Sequence, residues 1–363
     1  MASSSLTTHF HPSVLQKDQN IPTQFIWPKE ELVQTKEELN EPMIDLAGFF
    51  HGDVAATAAA AEQLRAGCEK HGFFQVTNHG VDEELIRAAQ DEMDSLFKLS
   101  VDKKVSLQKM PGSLWGYSGA HSDRFSSNLP WKEMFSFQYD HGSAPEELLV
   151  VDYFNNVVGK EFEKTGLVYQ KYCEAMKKLS LALFQLLAIS LGIDREHYKK
   201  FFEDGSSIMR CNYYPACNEP NLTLGTGPHC DPTSLTILHQ DQVGGLEVFS
   251  NNKWQSVRPR PNTLVINIGD TFMALSNGRY KSCLHRAAVH KGKERRSMVY
   301  FVNPKKDKVV KPPQDLVDQK GEKIKRKYPD FTWSKLLGFT QKHYRADDTT
   351  LQSFCHWLLT NKD

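Results

Sequence analysis

The chain lacks an excess of either charge: 44 lysines and arginines balance 44 aspartates and glutamates among 363 residues. That removes the basic footprint expected of a nucleic-acid binder. It also lacks any Cys-x-x-Cys pair. The seven cysteines (68, 173, 211, 217, 230, 283 and 355) are odd in number and scattered, so neither a disulfide framework nor a structural zinc knuckle is indicated. A reducing cytoplasmic setting is expected. No long hydrophobic run is present. The longest, Leu179 to Ile193, is interrupted by Ser180, Gln185 and Ser190, and falls short of the roughly 20 residues that span a bilayer. The first residues have neither a basic start nor an apolar stretch, and the first arginine is Arg65, so no secretory or transit signal is expected. Repeats and low-complexity tracts are missing too. Gly225-Thr226-Gly227 and Gly244-Gly245 do not open a helix after a strand, so they are expected to be hairpin turns rather than phosphate loops.

What is present is a set of metal-ligand residue types. His229 and Asp231 are one residue apart, and His285 follows later in the chain. On a strand, residues i and i+2 share a face, so His229 and Asp231 should project together while Cys230 turns away. Two imidazoles and one carboxylate on one face of a metal leave the opposite positions open, the arrangement of non-haem Fe(II) oxygenases. A lone His-x-Asp is usually an ordinary surface or hydrogen-bonded pair. Here a second i, i+2 pair, Arg295 and Ser297, follows ten residues after His285. A guanidinium fork suits a carboxylate. An open metal site with a carboxylate clamp nearby suggests a cosubstrate that chelates at one end and is carboxylated at the other, and 2-oxoglutarate is such a molecule. Structural zinc fails, because no fourth ligand is available.

Residues 1–40 read as an irregular arm, with Pro12, Pro22 and Pro28. Residues 41–203 read as mixed α/β. A short strand is expected at Pro42–Leu46, a helix capped by Asp53 running to about Lys70, a strand at Phe73–Thr77, and a helix over Asp82–Leu99. Residues 109–148 are rich in glycine and proline and carry Trp115, Tyr117, Phe125, Trp131 and Phe135, which suggests a binding lid. One long helix is expected from about Asn155 to Leu191, closed by Gly192. Residues 204–304 change character. Short strand candidates follow one another: Ile208–Tyr214, Leu235–His239, Leu246–Phe249, Trp254–Arg258, Leu264–Ile268, Leu284–Val289 and Ser297–Val302. Turn residues separate them, the pattern of a sandwich or barrel, and a jelly roll is the form that encloses a cavity. The remainder, 305–363, returns to helix around Trp333–Phe339 and Leu351–Leu359.

Asn212-Tyr213-Tyr214-Pro215-Ala216-Cys217, His229-x-Asp231, His285 and Arg295-x-Ser297 together resemble plant 2-oxoglutarate/Fe(II)-dependent dioxygenases. The similarity spans nearly the whole chain. More narrowly, Ile21–Pro28, Leu129–Glu133 and Asn221–Pro232 look like the gibberellin 20-oxidase group, from whose pattern Met298–Asn303 and Ala288–His290 depart. The resemblance implies an α+β fold, a double-stranded β-helix (jelly-roll) core with flanking N- and C-terminal helices. It implies Fe(II) on His229, Asp231 and His285, and 2-oxoglutarate held by Arg295 and Ser297 with Tyr214 and Asn212. O2 is the oxidant and ascorbate supports activity. The substrate implied is a gibberellin carboxylic acid, oxidised at C-20 through alcohol and aldehyde until that carbon is lost to a C19 lactone. Its carboxylate calls for a cation, for which Lys132 and Arg124 are the candidates, with Trp115, Tyr117 and Phe125 as apolar wall. A cytoplasmic monomer is expected. Three other readings stand beside this: a related Fe(II) dioxygenase acting on another plant small molecule, an Fe(II) oxidase that dispenses with 2-oxoglutarate, and a non-catalytic binder of a small acid.

Overall fold

The computed structural model describes residues 11–110, 112–122, 125–140, 149–319, 322–343 and 347–361. Two sheets form its centre. The larger has eight strands: β1 (Met43–Asp45), β2 (Phe73–Thr77), β3 (Gly116–Gly119), β4 (Glu133–Asp140), β5 (Ser206–Tyr214), β7 (Leu235–Gln240), β10 (Leu264–Ile268) and β12 (Arg295–Val302), in the order β1-β2-β10-β7-β12-β5-β4-β3. The smaller has four: β6 (Thr226–His229), β8 (Leu246–Ser250), β9 (Lys253–Ser256) and β11 (His285–Ala287), in the order β6-β11-β8-β9. Strands that are neighbours in space are mostly distant in sequence, the mark of a jelly roll, and the fold is α+β.

Period-two alternation sorts the large sheet into two faces. Met209, Cys211, Tyr213, Ile237, Met298, Tyr300 and Val302 join one buried cluster with the helix Glu163–Leu191. Their alternates Ile208, Leu238, Val299 and Phe301 join Leu246 and Val248 of the small sheet in a second cluster between the sheets. Within that inner layer the apolar set gives way to polar residues toward one end, and there the site lies.

The helices follow from local chemistry. Asp53 caps Val54–Lys70 by accepting from the Ala56 amide at 3.0 Å, and Asp82 caps Glu83–Phe97 through the Glu84 amide at 2.8 Å. Gly192 closes the long helix in the left-handed conformation at φ +74. That helix does not begin at Asn155. It runs from Glu163 to Leu191 and is preceded by a separate turn, Val150–Tyr153, and a π-wound segment, Phe154–Val158. The interruption falls at Gly159, whose φ of +142 no helix can continue through.

Two further expectations are corrected. Part of the glycine-rich stretch 109–148 is sheet, because Met134, Phe135, Phe137 and Tyr139 give β4 the bulky side chains that suit a pleated surface. Residues 141–148 of that stretch lie outside the described residues. Gly225–Gly227 is not a turn: Thr226 and Gly227 open β6, and a Cβ at Gly225 would come within 2.6 Å of the Tyr214 ring. Gly244 and Gly245, at φ +84 and +98, lie in the connection between β7 and β8, which belong to different sheets, so they are not a hairpin turn either. The arm is docked rather than loose. Leu15, Ile21 and Phe25 are buried with Leu129, Trp131 and Cys217, and the Phe25 and Trp131 rings meet edge-on at 5.2 Å.

Candidate metal centre and adjoining cavities

Antiparallel pairing of β6 with β11 sets His229 directly opposite His285. Asp231 lies just beyond the end of β6, so a bend after His229, rather than strand alternation alone, returns its carboxylate to the same point. The three potential ligand atoms all lie within 4.8 Å of one another. His229 Nε2 is 3.5 Å from Asp231 Oδ1, and His285 Nε2 is 3.9 Å from Asp231 Oδ2. Each ring donates from Nδ1 to a backbone carbonyl, His229 to Gly227 at 2.8 Å and His285 to Cys283 at 2.9 Å. Those bonds fix the tautomer and leave both Nε2 lone pairs facing inward. Burial keeps the His285 ring uncharged, pushing it down to about 4, with His229 adding to the effect. Burial disfavours the Asp231 carboxylate, but His285, His229 and the Thr236 hydroxyl, which donates to Oδ2 at 2.6 Å, hold it well below the usual range. The uncharged His285 ring and the ionised Asp231 carboxylate are in the forms that bind a divalent metal.

A cavity of about 50 Å³ adjoins the triad and is lined by Asn212, Tyr214, Arg295 and Ser297, among others. Register explains the grouping. In the β12–β5 pair, Arg295 is opposite Tyr214 and Ser297 opposite Asn212, and cross-strand partners share a face. Asn212 donates to the Ser297 hydroxyl at 3.2 Å. Arg295 is 2% exposed; its guanidinium lies 4.7 Å from the Tyr214 ring centroid and donates from Nη2 to Gln240 at 3.3 Å. Its Nε and Nη1 have no hydrogen-bond partner. A buried cation with two unmet donors is costly unless an anion arrives. The neighbouring Arg286 offers no such donors, since it is paired with Glu247 at 2.6 Å.

A second cavity of about 630 Å³ reaches His229 and Asp231 of the triad, and Lys132, Arg210, Thr226 and Phe301 line both. Trp27, Phe125, Ile208, Trp333 and Leu337 give it apolar walls. Lys132 is 4% exposed and donates to Thr226 Oγ1 at 3.0 Å; burial lowers its ammonium to about 8. Of the other residues expected around a substrate, Phe125 lines this cavity and Arg124 lies outside the described residues. Trp115 and Tyr117 are placed elsewhere. Trp115 packs on Tyr153 at 4.6 Å, and Tyr117 is buried against His11, to which it is hydrogen-bonded at 2.7 Å. Both are held by aromatic packing in the interior, which a loop reading does not foresee. Sequence reasoning missed Arg210, although it shares the β5 face with Asn212 and Tyr214 at i, i+2 and i+4. It also missed Thr236, and the walls supplied by the arm and the C-terminal helix Trp333–Lys342.

Residues 205–304 match the model of the 2OG-Fe(II) oxygenase superfamily, and residues 42–156 match that of the non-haem dioxygenase in morphine synthesis N-terminal region. Gibberellin 20 oxidase 2 of Arabidopsis thaliana is 54% identical over 98% of this chain and 92% of its own length. The chain belongs to the 2-oxoglutarate/Fe(II)-dependent oxygenase family. The dioxygenase is also 52% identical to Gibberellin 20 oxidase 2 of Oryza sativa subsp. japonica, over 95% of this chain and 87% of the relative. Among solved structures, JOX2 in complex with 2OG, Fe and JA superposes with a TM-score of 0.81 at 30% identity, covering 95% of this chain and 97% of that one. Fe(II), 2-oxoglutarate and O2 are the cofactor and cosubstrates of this enzyme. No helix among the described residues is long and apolar enough to cross a membrane.

Proposed function

We propose that the dioxygenase oxidises C-20 of gibberellin precursors in successive steps, to alcohol, to aldehyde, and then with loss of that carbon to a C19 lactone. The support is twofold. Relatives named gibberellin 20 oxidase match almost end to end, and a largely apolar cavity with the buried amine of Lys132 on its wall reaches His229 and Asp231. A rigid apolar acid needs that combination of walls and one placed cation.

In this reading His229, Asp231 and His285 hold Fe(II), and Thr236 orients the carboxylate between the two rings. Arg295 holds the distal carboxylate of 2-oxoglutarate through the Nε and Nη1 groups that lack a partner, with Ser297, Tyr214 and Asn212 completing the cradle. Bound Fe(II) and 2-oxoglutarate supply oxidising power from O2 with release of succinate and CO2. The chain's own contribution is to orient substrate and exclude water. Lys132, at the junction of the two cavities, pairs with a substrate carboxylate, and Phe125, Phe301 and Trp333 hold the hydrocarbon skeleton. The seven cysteines are free and buried, as suits the reducing cytoplasm in which we place the enzyme.

The buried Arg295 with two unmet donors beside a His/Asp/His cluster carries this assignment. The test is anaerobic loading with Fe(II) and 2-oxoglutarate, then O2 and a C20 gibberellin, with products read by mass spectrometry. Succinate together with the C20 alcohol, aldehyde or C19 lactone is the expected result. Succinate with the gibberellin unchanged would remove the substrate assignment.

A further inference from the structure

Arg286 follows the triad residue His285 on β11 and is 2% exposed, and its three nitrogens point in three directions. Nε meets Glu247 Oε2 at 2.6 Å on the neighbouring strand β8. Nη1 donates to the Glu31 carbonyl at 2.6 Å, and Nη2 donates to the Val33 carbonyl. The guanidinium also lies 4.2 Å from the Trp254 ring centroid. The charge is neutralised by Glu247, so the remaining donors serve only the backbone of the N-terminal arm.

That part of the arm is a cavity wall. Trp27, Pro28 and Glu31 line the large cavity. Their upstream end is fastened separately, with Trp27 Nε1 donating to the Leu129 carbonyl at 3.1 Å and the Trp27 amide to the Leu222 carbonyl at 3.0 Å. The downstream end, at Glu31 and Val33, is held by Arg286. Two carbonyls and a carboxylate, each met by a different nitrogen, suit the guanidinium fork, and a lysine ammonium on its single terminal atom cannot replace all three.

We propose that Arg286 is a positioning residue that latches the arm to the metal-bearing strand, and that Trp27–Glu31 is thereby a specificity-determining wall of the substrate cavity. The proposal rests on the reading of the large cavity as the substrate pocket. A wall tied to the residue after His285 keeps a fixed relation to the metal. Released, it places substrate poorly and admits water, while Asn212, Tyr214, Arg295 and Ser297 keep their places on β5 and β12 in the small cavity that Arg286 borders without turning a donor to it.

The experiment compares wild type, Arg286→Lys and Trp27→Leu in the full-length holoenzyme, reading backbone hydrogen exchange, both KM values, and succinate formed per product. In Arg286→Lys, loss of charge-assisted hydrogen bonds should speed exchange of residues 29–33 and raise substrate KM, each by about tenfold, with 2-oxoglutarate KM within about twofold of wild type. Succinate per product should rise. Trp27→Leu should raise substrate KM with exchange at 285–287 unchanged, since the latch is intact. Unchanged arm exchange in Arg286→Lys would overturn the latch. Fast arm exchange with unaltered substrate KM, or an unaltered KM in Trp27→Leu, would overturn the wall. Equal rises in both KM values would show general damage to the metal strand and also overturn the proposal. A wild-type enzyme that leaves a C20 gibberellin untouched would sink the substrate assignment alone, and the exchange data would still decide the latch.

Discussion

His229 and His285 are direct cross-strand partners, with ring centroids 4.3 Å apart, and each is held by the carbonyl two residues before it in the chain. The same local bond thus sets the same tautomer on both strands. Asp231 closes the triad from outside the pairing, and Thr236 on β7 ties it to the larger sheet. The candidate metal site is therefore a junction between the two sheets.

That junction makes Thr236 a sharp probe. Thr236→Val removes the hydroxyl that orients Asp231 but keeps the side-chain shape. Loss of such an outer hydrogen bond should cost about 10–100-fold in Fe(II) affinity. Asp231→Ala, which removes a ligand outright, should abolish both metal retention and turnover. Metal content after dialysis, with circular dichroism to verify folding, distinguishes the two. Full iron retention in Asp231→Ala would refute the ligand role.

Arg295→Lys should act on the cosubstrate alone. The buried fork becomes a point charge, and one charge-assisted hydrogen bond is worth about 1.5–3 kcal/mol, or roughly 10–150-fold in affinity. The 2-oxoglutarate KM should rise by that order while gibberellin KM stays near wild type. An unaltered 2-oxoglutarate KM would remove Arg295 from the cradle.

The residue pairs that meet around the His229, Asp231 and His285 cluster were legible in the chain, because strand alternation is a local rule. Arg295 and Ser297, like Asn212 and Tyr214, need only a period of two to share a face, and β12 and β5 bring the pairs together in register. Asp231 reaches the triad by a different route, through a bend past the strand end. What alternation cannot give is distance across the fold. Trp115 and Tyr117, the latter on β3, lie within ten residues of Phe125 in sequence, yet of the three Phe125 alone lines the cavity. The other two face inward because Tyr153 and His11 happen to meet them there. The arm's role was equally hidden, since its contacts with Leu129, Leu222 and Arg286 span 102 to 255 positions of sequence.

Glu133 offers a stability test separate from catalysis. It is 0% exposed, receives Lys104 Nζ at 2.8 Å, and accepts the Ser13 amide at 3.0 Å, so it binds the arm to β4. Glu133→Gln leaves the buried Lys104 uncompensated, a change that costs about 3–5 kcal/mol. Urea unfolding should show a lower midpoint of that order. Burial alone would raise the Glu133 carboxyl, but Lys104 and Ser13 hold it below the ordinary range. Its stabilising contribution is thus complete above the ordinary glutamate range and is lost as pH falls through the lowered value. A variant as stable as wild type at neutral pH would show that the ion pair contributes nothing.

Lys132 should give the substrate step its pH dependence. Burial lowers its ammonium to about 8, against opposing help from Tyr214. Below that value the side chain is charged and can pair with a carboxylate; above it the charge is lost. Substrate KM should therefore be flat at neutral pH and climb on the alkaline side, approaching about tenfold per pH unit. The 2-oxoglutarate KM should not follow, because a guanidinium rather than an amine holds its carboxylate. Lys132→Met should raise substrate KM by roughly 10–100-fold, the worth of a charged hydrogen bond, and erase the alkaline rise. Steady-state assays between neutral and alkaline pH, fitted separately for each substrate, would measure this. If the methionine variant kept the same alkaline limb, the titrating group would be another residue and Lys132 would lose its place opposite the substrate carboxylate.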